Sequence, residues 1–290
     1  MLRYQGVDSD PVNHGWLCDK GRFNFESTKS DQRIENPMVR SDGELVATSW
    51  SVALSSAAGL IAQAIKDGGP QSVAILGGAR GTNEDAYAWA LLAQSLGISN
   101  VDAQLDDGLP TSLFGYAQAT IDEAAHATTV LLLSPDLKEE LPILYLRLRD
   151  ASEKKRSKLI EFVPKQTGLT RYAWKSASYE PGRQVSVIQQ TLTDPAVATQ
   201  IAKGSVVVVV GRSNLAEDDS FTMAALDAVL ALAPQATVLP VVRRGNIRGA
   251  VETGLVTGST NSILQSAIAG EINCLVLVGA DPMNDVPDSH

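Results

Sequence analysis

Apolar and polar positions divide this chain into a polar front and two longer stretches in which short apolar runs alternate with amphipathic ones. Residues 1–49 are rich in Gly, Asp, Asn and Pro and hold only short β-like pieces such as Glu44-Leu45-Val46-Ala47. Thr48 or Ser49 then supplies the cap of a helix over residues 50–66, which Gly68-Gly69-Pro70 stops. The run Ser72-Val73-Ala74-Ile75-Leu76 predicts a strand, Gly77 to Glu84 a glycine turn, and the amphipathic stretch after it a helix ending at Gly97. A short strand over 101–104, a helix over 120–127 and a buried strand over 129–133 follow. A helix from about 137 to 153 leads into the strand Lys158 to Val163, closed by Pro164.

After a polar connection, residues 165–184, the scheme repeats. Val206 to Val210 is five valines in succession, the pattern of a central parallel strand buried on both faces. Helices are expected over about 220–232 and 262–269, and strands over 236–242 and 274–278. Strands alternating with helices imply an α/β protein of two doubly wound, mostly parallel-sheet, Rossmann-like blocks behind a short irregular or β segment. The expected divisions are 1–49, 50–184 and 185–290.

Composition narrows the function. Of the residues, 44% are hydrophobic and 20% charged, which sets the chain apart from disordered sequences. The formal charge of −9 argues against a nucleic-acid partner, since phosphate binding needs a concentrated basic surface. The basic run Lys154-Lys155-Arg156-Ser157-Lys158 reads as a solvated helix end. No apolar run approaches the roughly 18 residues of a bilayer span, so membrane association is expected to come through partners. Two widely spaced cysteines and no signal peptide imply a reducing, cytoplasmic setting.

Four side chains carry candidate chemistry. Cys18 lies in the phrase His14-Gly15-Trp16-Leu17-Cys18-Asp19-Lys20-Gly21-Arg22-Phe23, whereas Cys274 lies in an apolar run and reads as a buried strand residue. A 4Fe-4S cluster needs four thiolates, so Cys18 is either one ligand of an incomplete set or a small buried hydrophobe. His14 and Cys18, four apart, would share a face if helical and form half of a zinc site, with no second pair to complete it. Arg80 and Arg212 each stand beside a glycine at a strand's C-terminal end, where open α/β sheets bind ligands. A guanidinium and helix N–H groups there suit a diphosphate. Against that, neither loop has the G-x-G-x-x-G or P-loop spacing, and Glu84-Asp85 and Glu217-Asp218-Asp219 favour plain strand-to-helix turns. No Ser/His/Asp or Cys/His constellation stands out.

Several phrases occur in a familiar order. Asn13 to Phe23, Asp31 to Arg40, Ser49-Trp50-Ser51-Val52-Ala53-Leu54, Asn246-Ile247-Arg248-Gly249-Ala250 and Gly279-Ala280-Asp281-Pro282 resemble molybdopterin oxidoreductases, beginning just past their fourth cluster cysteine. Gly78 to Tyr87, Gln104 to Pro110 and Lys138 to Arg149 are most similar to the G-subunit family of NADH-quinone oxidoreductases of the respiratory complex I type.

That resemblance implies that Cys18 is the fourth ligand of a 4Fe-4S cluster whose other ligands lie upstream, and that Lys20 matches the lysine between cluster and pterin. It implies no catalytic residue in this chain. Molybdenum enzymes of the superfamily place a metal ligand near residues 101–113, where this sequence has no cysteine and Asp106 or Asp107 would be the candidate ligand. A retained fold without molybdopterin is therefore expected, with Arg80 and Arg212 as vestigial phosphate-loop residues. The expected role is scaffold and single cluster ligand in a complex passing electrons from NADH to quinone with proton translocation. Its partners would be the other subunits of the peripheral arm, on the cytoplasmic side of the bacterial inner membrane. A piece of a formate-dehydrogenase-like molybdenum enzyme is the alternative. The missing upstream cysteines and the stop after Pro282 mark the chain as an expected fragment.

Overall fold

The computed structural model describes residues 2–11, 13–31, 33–105, 108–214 and 218–285. In chain order the first elements are α1 (Asp19–Phe23), β1 (Met38–Ser41), β2 (Glu44–Ala47), α2 (Trp50–Gly68), β3 (Val73–Gly77), α3 (Asn83–Leu96) and β4 (Asn100–Asp102). Then come α4 (Ile121–His126), β5 (Thr129–Leu133), α5 (Leu137–Glu140), α6 (Pro142–Glu153), β6 (Lys158–Val163), β7 (Lys175–Ser178), α7 (Gln184–Leu192) and α8 (Pro195–Ile201). The last are β8 (Val206–Val210), α9 (Asp219–Leu232), β9 (Thr237–Pro240), α10 (Ile247–Glu252), α11 (Thr260–Ile268), β10 (Cys274–Val278) and α12 (Pro282–Asp285).

These elements form two compact units interleaved in sequence. One comprises residues 1–25 and 108–243, the other residues 26–107 and 244–290. Serial divisions at 49 and 184 do not follow them, because β10 pairs in parallel with β3 two hundred residues earlier and carries the chain's last segment back to that sheet.

The first unit is built on a parallel sheet of order β7-β6-β5-β8-β9. Alternation along its buried strands sends side chains to opposite faces. Leu131, Leu133, Ile160, Phe162, Val206, Val208 and Val210 pack with residues of α7, α8 and α9, including Ile188, Leu192, Val197 and Leu226. Val130, Leu132, Leu159, Val207 and Val209 pack instead with Ala124, Leu137, Leu144 and Leu148 of α4, α5 and α6. Helices thus cover both faces, which is why the valine run of β8 is wholly apolar.

The second unit holds a parallel sheet of order β10-β3-β4 and an antiparallel β1-β2 hairpin. Ala74 and Leu76 of β3 pack with Leu105, Ile263 of α11 and Ile272. Helix α2 packs on β1, β3 and β10 yet buries only Ala64, leaving Trp50, Val52, Leu54 and Leu60 exposed.

Several elements differ from their expected form for local reasons. The helix expected over 137–153 is two, because Pro142 lacks an N–H and Leu141 before it is pushed to φ −135°, ψ 74°. Strand β7 is polar (Lys-Ser-Ala-Ser) because it lies at the sheet edge, and it falls in what reads as connection. Helices α7, α8 and α10 are likewise additions. Cys274 lies in a strand as expected, but β10 is an edge and the thiol is only half-buried; burial pushes it up from the ordinary thiol range.

Candidate functional site

In the first unit, Cys18 is the N-cap of α1. Its backbone is extended (φ −67°, ψ 154°), and its Sγ accepts from the Gly21 N–H at 3.4 Å while its carbonyl accepts from Arg22 N–H at 2.8 Å. The thiol is half-buried and Lys20, two residues on, is exposed. The turn from His14 to Cys18 is not helical, and His14 itself has φ +48°. His14 therefore does not share a helix face with Cys18. Its ring nitrogens meet Asp10 at 3.1 Å and Asp122 at 3.3 Å instead. Asp122, at the start of α4, also accepts a hydrogen bond from the buried Arg147. That hydrogen bond, outweighing some desolvation, holds the Asp122 carboxyl below the usual carboxylate range.

Arg212 follows β8 in the same unit and is half-buried. Its charge acts on Asp218 and Asp219 at the head of α9. Hydrogen bonds from Ser220 lower Asp218, while desolvation and the neighbouring Asp218 raise Asp219. Glu217 lies outside the described residues. An arginine facing two acidic side chains at a helix start matches a charge-balanced turn.

In the second unit, β3 runs into the glycine turn that the sequence flags. Gly77 (φ +104°) and Gly78 (φ +98°) take a conformation closed to side chains: a Cβ on Gly77 would lie 2.3 Å from the Val278 carbonyl oxygen. Gly78 N–H donates to that same carbonyl at 2.8 Å. Thr82 then caps α3 in a reciprocal box: Asp85 Oδ2 accepts from Thr82 N–H at 3.0 Å, and Thr82 Oγ1 accepts from Asp85 N–H at 3.2 Å.

Beside this turn stand three charged groups. Arg80 Nη1 donates to the Gly279 carbonyl at 3.2 Å, and its Nη2 to Asp285 Oδ1 at 3.1 Å. Arg244 Nη1 donates to the Gln104 carbonyl at 2.6 Å, and its Nη2 lies 3.7 Å from the same Asp285 oxygen. The side chains of Arg244 and Asp285 are 6% and 15% exposed, that of Arg80 54%. Burial pushes the Asp285 carboxyl up, but the Asp281 N–H and the charges of Arg80 and Arg244 outweigh it and bring it below the ordinary range.

The adjoining segment fixes backbone as well. Asp102 accepts from Thr260 N–H at 2.9 Å and Gln104 N–H at 3.0 Å, tying β4 to the head of α11. Buried Leu105 follows with φ +56°, a left-handed conformation costly for a branched side chain. Asp106 and Asp107, the oxygen donors considered for molybdenum, lie outside the described residues.

Two groups implied by the resemblance can be tested against these donors. For an iron–sulfur cluster, Cys18 offers one thiolate, and no group of three or more His, Cys, Asp or Glu suited to a metal occurs among the described residues. These residues do not make up a cluster site. For the diphosphate of a pterin cofactor, the head of α3 already carries Asp85, and Arg80 already holds Asp285. That arrangement does not fit an added dianion.

Arg244, Asp285 and Asp122 escape a reading of the sequence. The only local signal is the arginine pair Arg243-Arg244 after β9, and its partners are remote in the chain.

A family model described as molybdopterin oxidoreductase matches residues 33–290. The G subunit of the NADH-quinone oxidoreductase of Mycobacterium tuberculosis is 32% identical, over 88% of this chain and 32% of the relative. The corresponding G subunit of Streptomyces coelicolor is 27% identical, over 99% of this chain and 41% of its own length. F420-dependent formate dehydrogenase 2 subunit alpha of Methanococcus maripaludis is 31% identical over 63% of this chain and 28% of its own length. The chain spans a third to two fifths of the length of these G-subunit relatives. Among solved structures, acetylene hydratase from Pelobacter acetylenicus superposes with a TM-score of 0.56 over 93% of this chain and 42% of its own at 16% identity, a likeness of fold alone.

Proposed function

The chain belongs to the molybdopterin oxidoreductase family, and from that premise we propose that it is a non-catalytic scaffold segment of an NADH-quinone oxidoreductase of the respiratory complex I type. The observation that carries this reading is extent: similarity to G subunits runs over 88–99% of the chain, whereas similarity to formate dehydrogenase alpha subunits stops at 61–63%.

In this role the protein takes part in transfer of electrons from NADH to quinone, coupled to proton translocation, without itself binding either. Cys18 contributes one thiolate to a 4Fe-4S cluster completed by residues outside this chain, and Lys20 stands next to it as a fixed positive charge. The half-buried cap position of Cys18 supports this: its Sγ is held at the start of α1 by the Gly21 N–H at 3.4 Å. Arg80 and Arg212 are retained as structural charges and not as phosphate ligands. No helix among the described residues is long and apolar enough to cross a membrane. In this reading the other subunits attach the protein to the cytoplasmic side of the inner membrane.

The test is purification of the full-length protein from its source cells, with iron and molybdenum analysis and electron paramagnetic resonance of the reduced sample. Co-migration with NADH-quinone activity, loss of one cluster signal in Cys18→Ser, and no molybdenum are expected. Stoichiometric molybdenum would move the protein to the formate-dehydrogenase-like class, and a free monomer in cells with an intact complex would remove it from the complex.

A further inference from the structure

We propose that Asp285 is a built-in anion: its carboxylate fills the two-arginine site made by Arg80 and Arg244 beside the β3–α3 turn and closes that site to phosphate-bearing ligands. Three contacts of the carboxylate define it. Asp285 Oδ1 accepts from Arg80 at 3.1 Å and faces Arg244 at 3.7 Å. Its Oδ2 accepts from the Asp281 N–H at 3.1 Å. Both arginines are independently anchored on backbone, Arg80 on Gly279 and Arg244 on Gln104, so the pair of guanidiniums is held in place by more than the carboxylate between them.

Two guanidiniums converging on one point, one of them nearly buried, are what a phosphate or diphosphate oxygen requires. Here that point is taken by a side chain of the same unit, 15% exposed. An incoming dianion would have to displace Asp285 and then sit beside its charge, with Asp85 at the head of the neighbouring helix adding to the repulsion. The site is thus saturated from within, and the turn keeps its shape and charge balance without a cofactor. Removing the charge of Asp285 re-creates an anion site that the folded chain otherwise hides.

Inorganic pyrophosphate is the probe, titrated by calorimetry at low ionic strength into the full-length chain and its Asp285→Asn variant, which keeps the side chain's size. The unaltered chain is expected to show no saturable binding. Asp285→Asn is expected to bind at least tenfold more tightly, and Arg80→Ala in that background to abolish the gain. Equal binding by both proteins, or none by a folded Asp285→Asn, overturns the inference. Should that variant fail to fold, carbon NMR of the Asp285 carboxyl in the unaltered chain decides. Titration below the ordinary aspartate range, moving upward in Arg80→Ala, supports the contact, and an ordinary titration in both overturns it. Either adverse result leaves the proposed place in the respiratory complex untouched, since only residues of one compact unit take part.

Discussion

Asp122 gathers three basic side chains around a single carboxylate. Buried Arg147 hydrogen-bonds to it, and the imidazoles of His14 and His126 approach within 3.3 and 3.5 Å. Because the carboxyl titrates below its unfolded value of about 3.9, the contact stabilises the fold at all pH values above that value. The contribution is lost as pH falls through the lower, folded value. Asp122→Asn is expected to cost about 1 kcal/mol at pH 7, a modest figure because the carboxylate is more than a third exposed. The difference between variant and parent should be smaller at about pH 3 than at pH 7, and it vanishes only below the lowered folded value, where the carboxylate is protonated in both states. Urea denaturation at the two pH values checks this, and a pH-independent difference would contradict it. At this scale the sequence exposes Cys18, Lys20, Arg80 and Arg212 as candidates, since each stands in a distinctive phrase. It does not expose their partners. Arg80 and Asp285 are 205 residues apart, and no periodicity or spacing records such a pair.

Among elements, the β3–α3 junction is the most tightly specified. Gly77 must be glycine for two separate reasons, its positive φ and the 2.3 Å approach of Val278 oxygen to a would-be Cβ. Gly77→Ala is therefore expected to destabilise by on the order of 2–3 kcal/mol. Thr82→Ala, which removes only the cap, should cost about 1 kcal/mol. Denaturant midpoints of the two variants test the ranking, and a larger loss in Thr82→Ala would refute it. The apolar strands and the capped helices were readable because burial on two faces and capping leave local marks: β5, β6, β8 and β10 fall where apolar runs put them. Polar edges leave none. β7 escapes because an edge strand needs no apolar run, its stability coming from pairing with β6 and from Trp174, over whose ring Lys158 Nζ sits at 4.0 Å. Glu161 shows the converse. It is fully buried in an apolar strand, satisfied by Thr170 at 2.8 Å, Ser176 at 3.1 Å and Thr167, none predictable from the strand itself.

For the whole molecule, apolar surface left open is the feature with the largest consequence. Trp50, Leu54 and Leu60 of α2 are 69%, 61% and 65% exposed, and Leu45 of the hairpin 55%. Leu275 and Leu277 of edge strand β10 are part-exposed within an otherwise unbroken apolar run. We propose that in the complex these faces meet other polypeptide. On its own the chain is expected to self-associate at micromolar concentration and to bind a hydrophobic dye, both reduced in Leu54→Ser with Leu60→Ser. Sedimentation and dye fluorescence check this; a monodisperse, dye-free monomer would contradict it. The sequence alone determined the α/β class, the strands and most helices, because those depend on burial and capping within a few residues. Only the tertiary structure decided that β10 returns to β3, that two units interleave where serial blocks were expected, and that Asp285 meets both Arg80 of the glycine turn and Arg244 after β9. Such pairings are settled by which distant surfaces fit and which charges neutralise each other, and neither leaves a mark in local sequence.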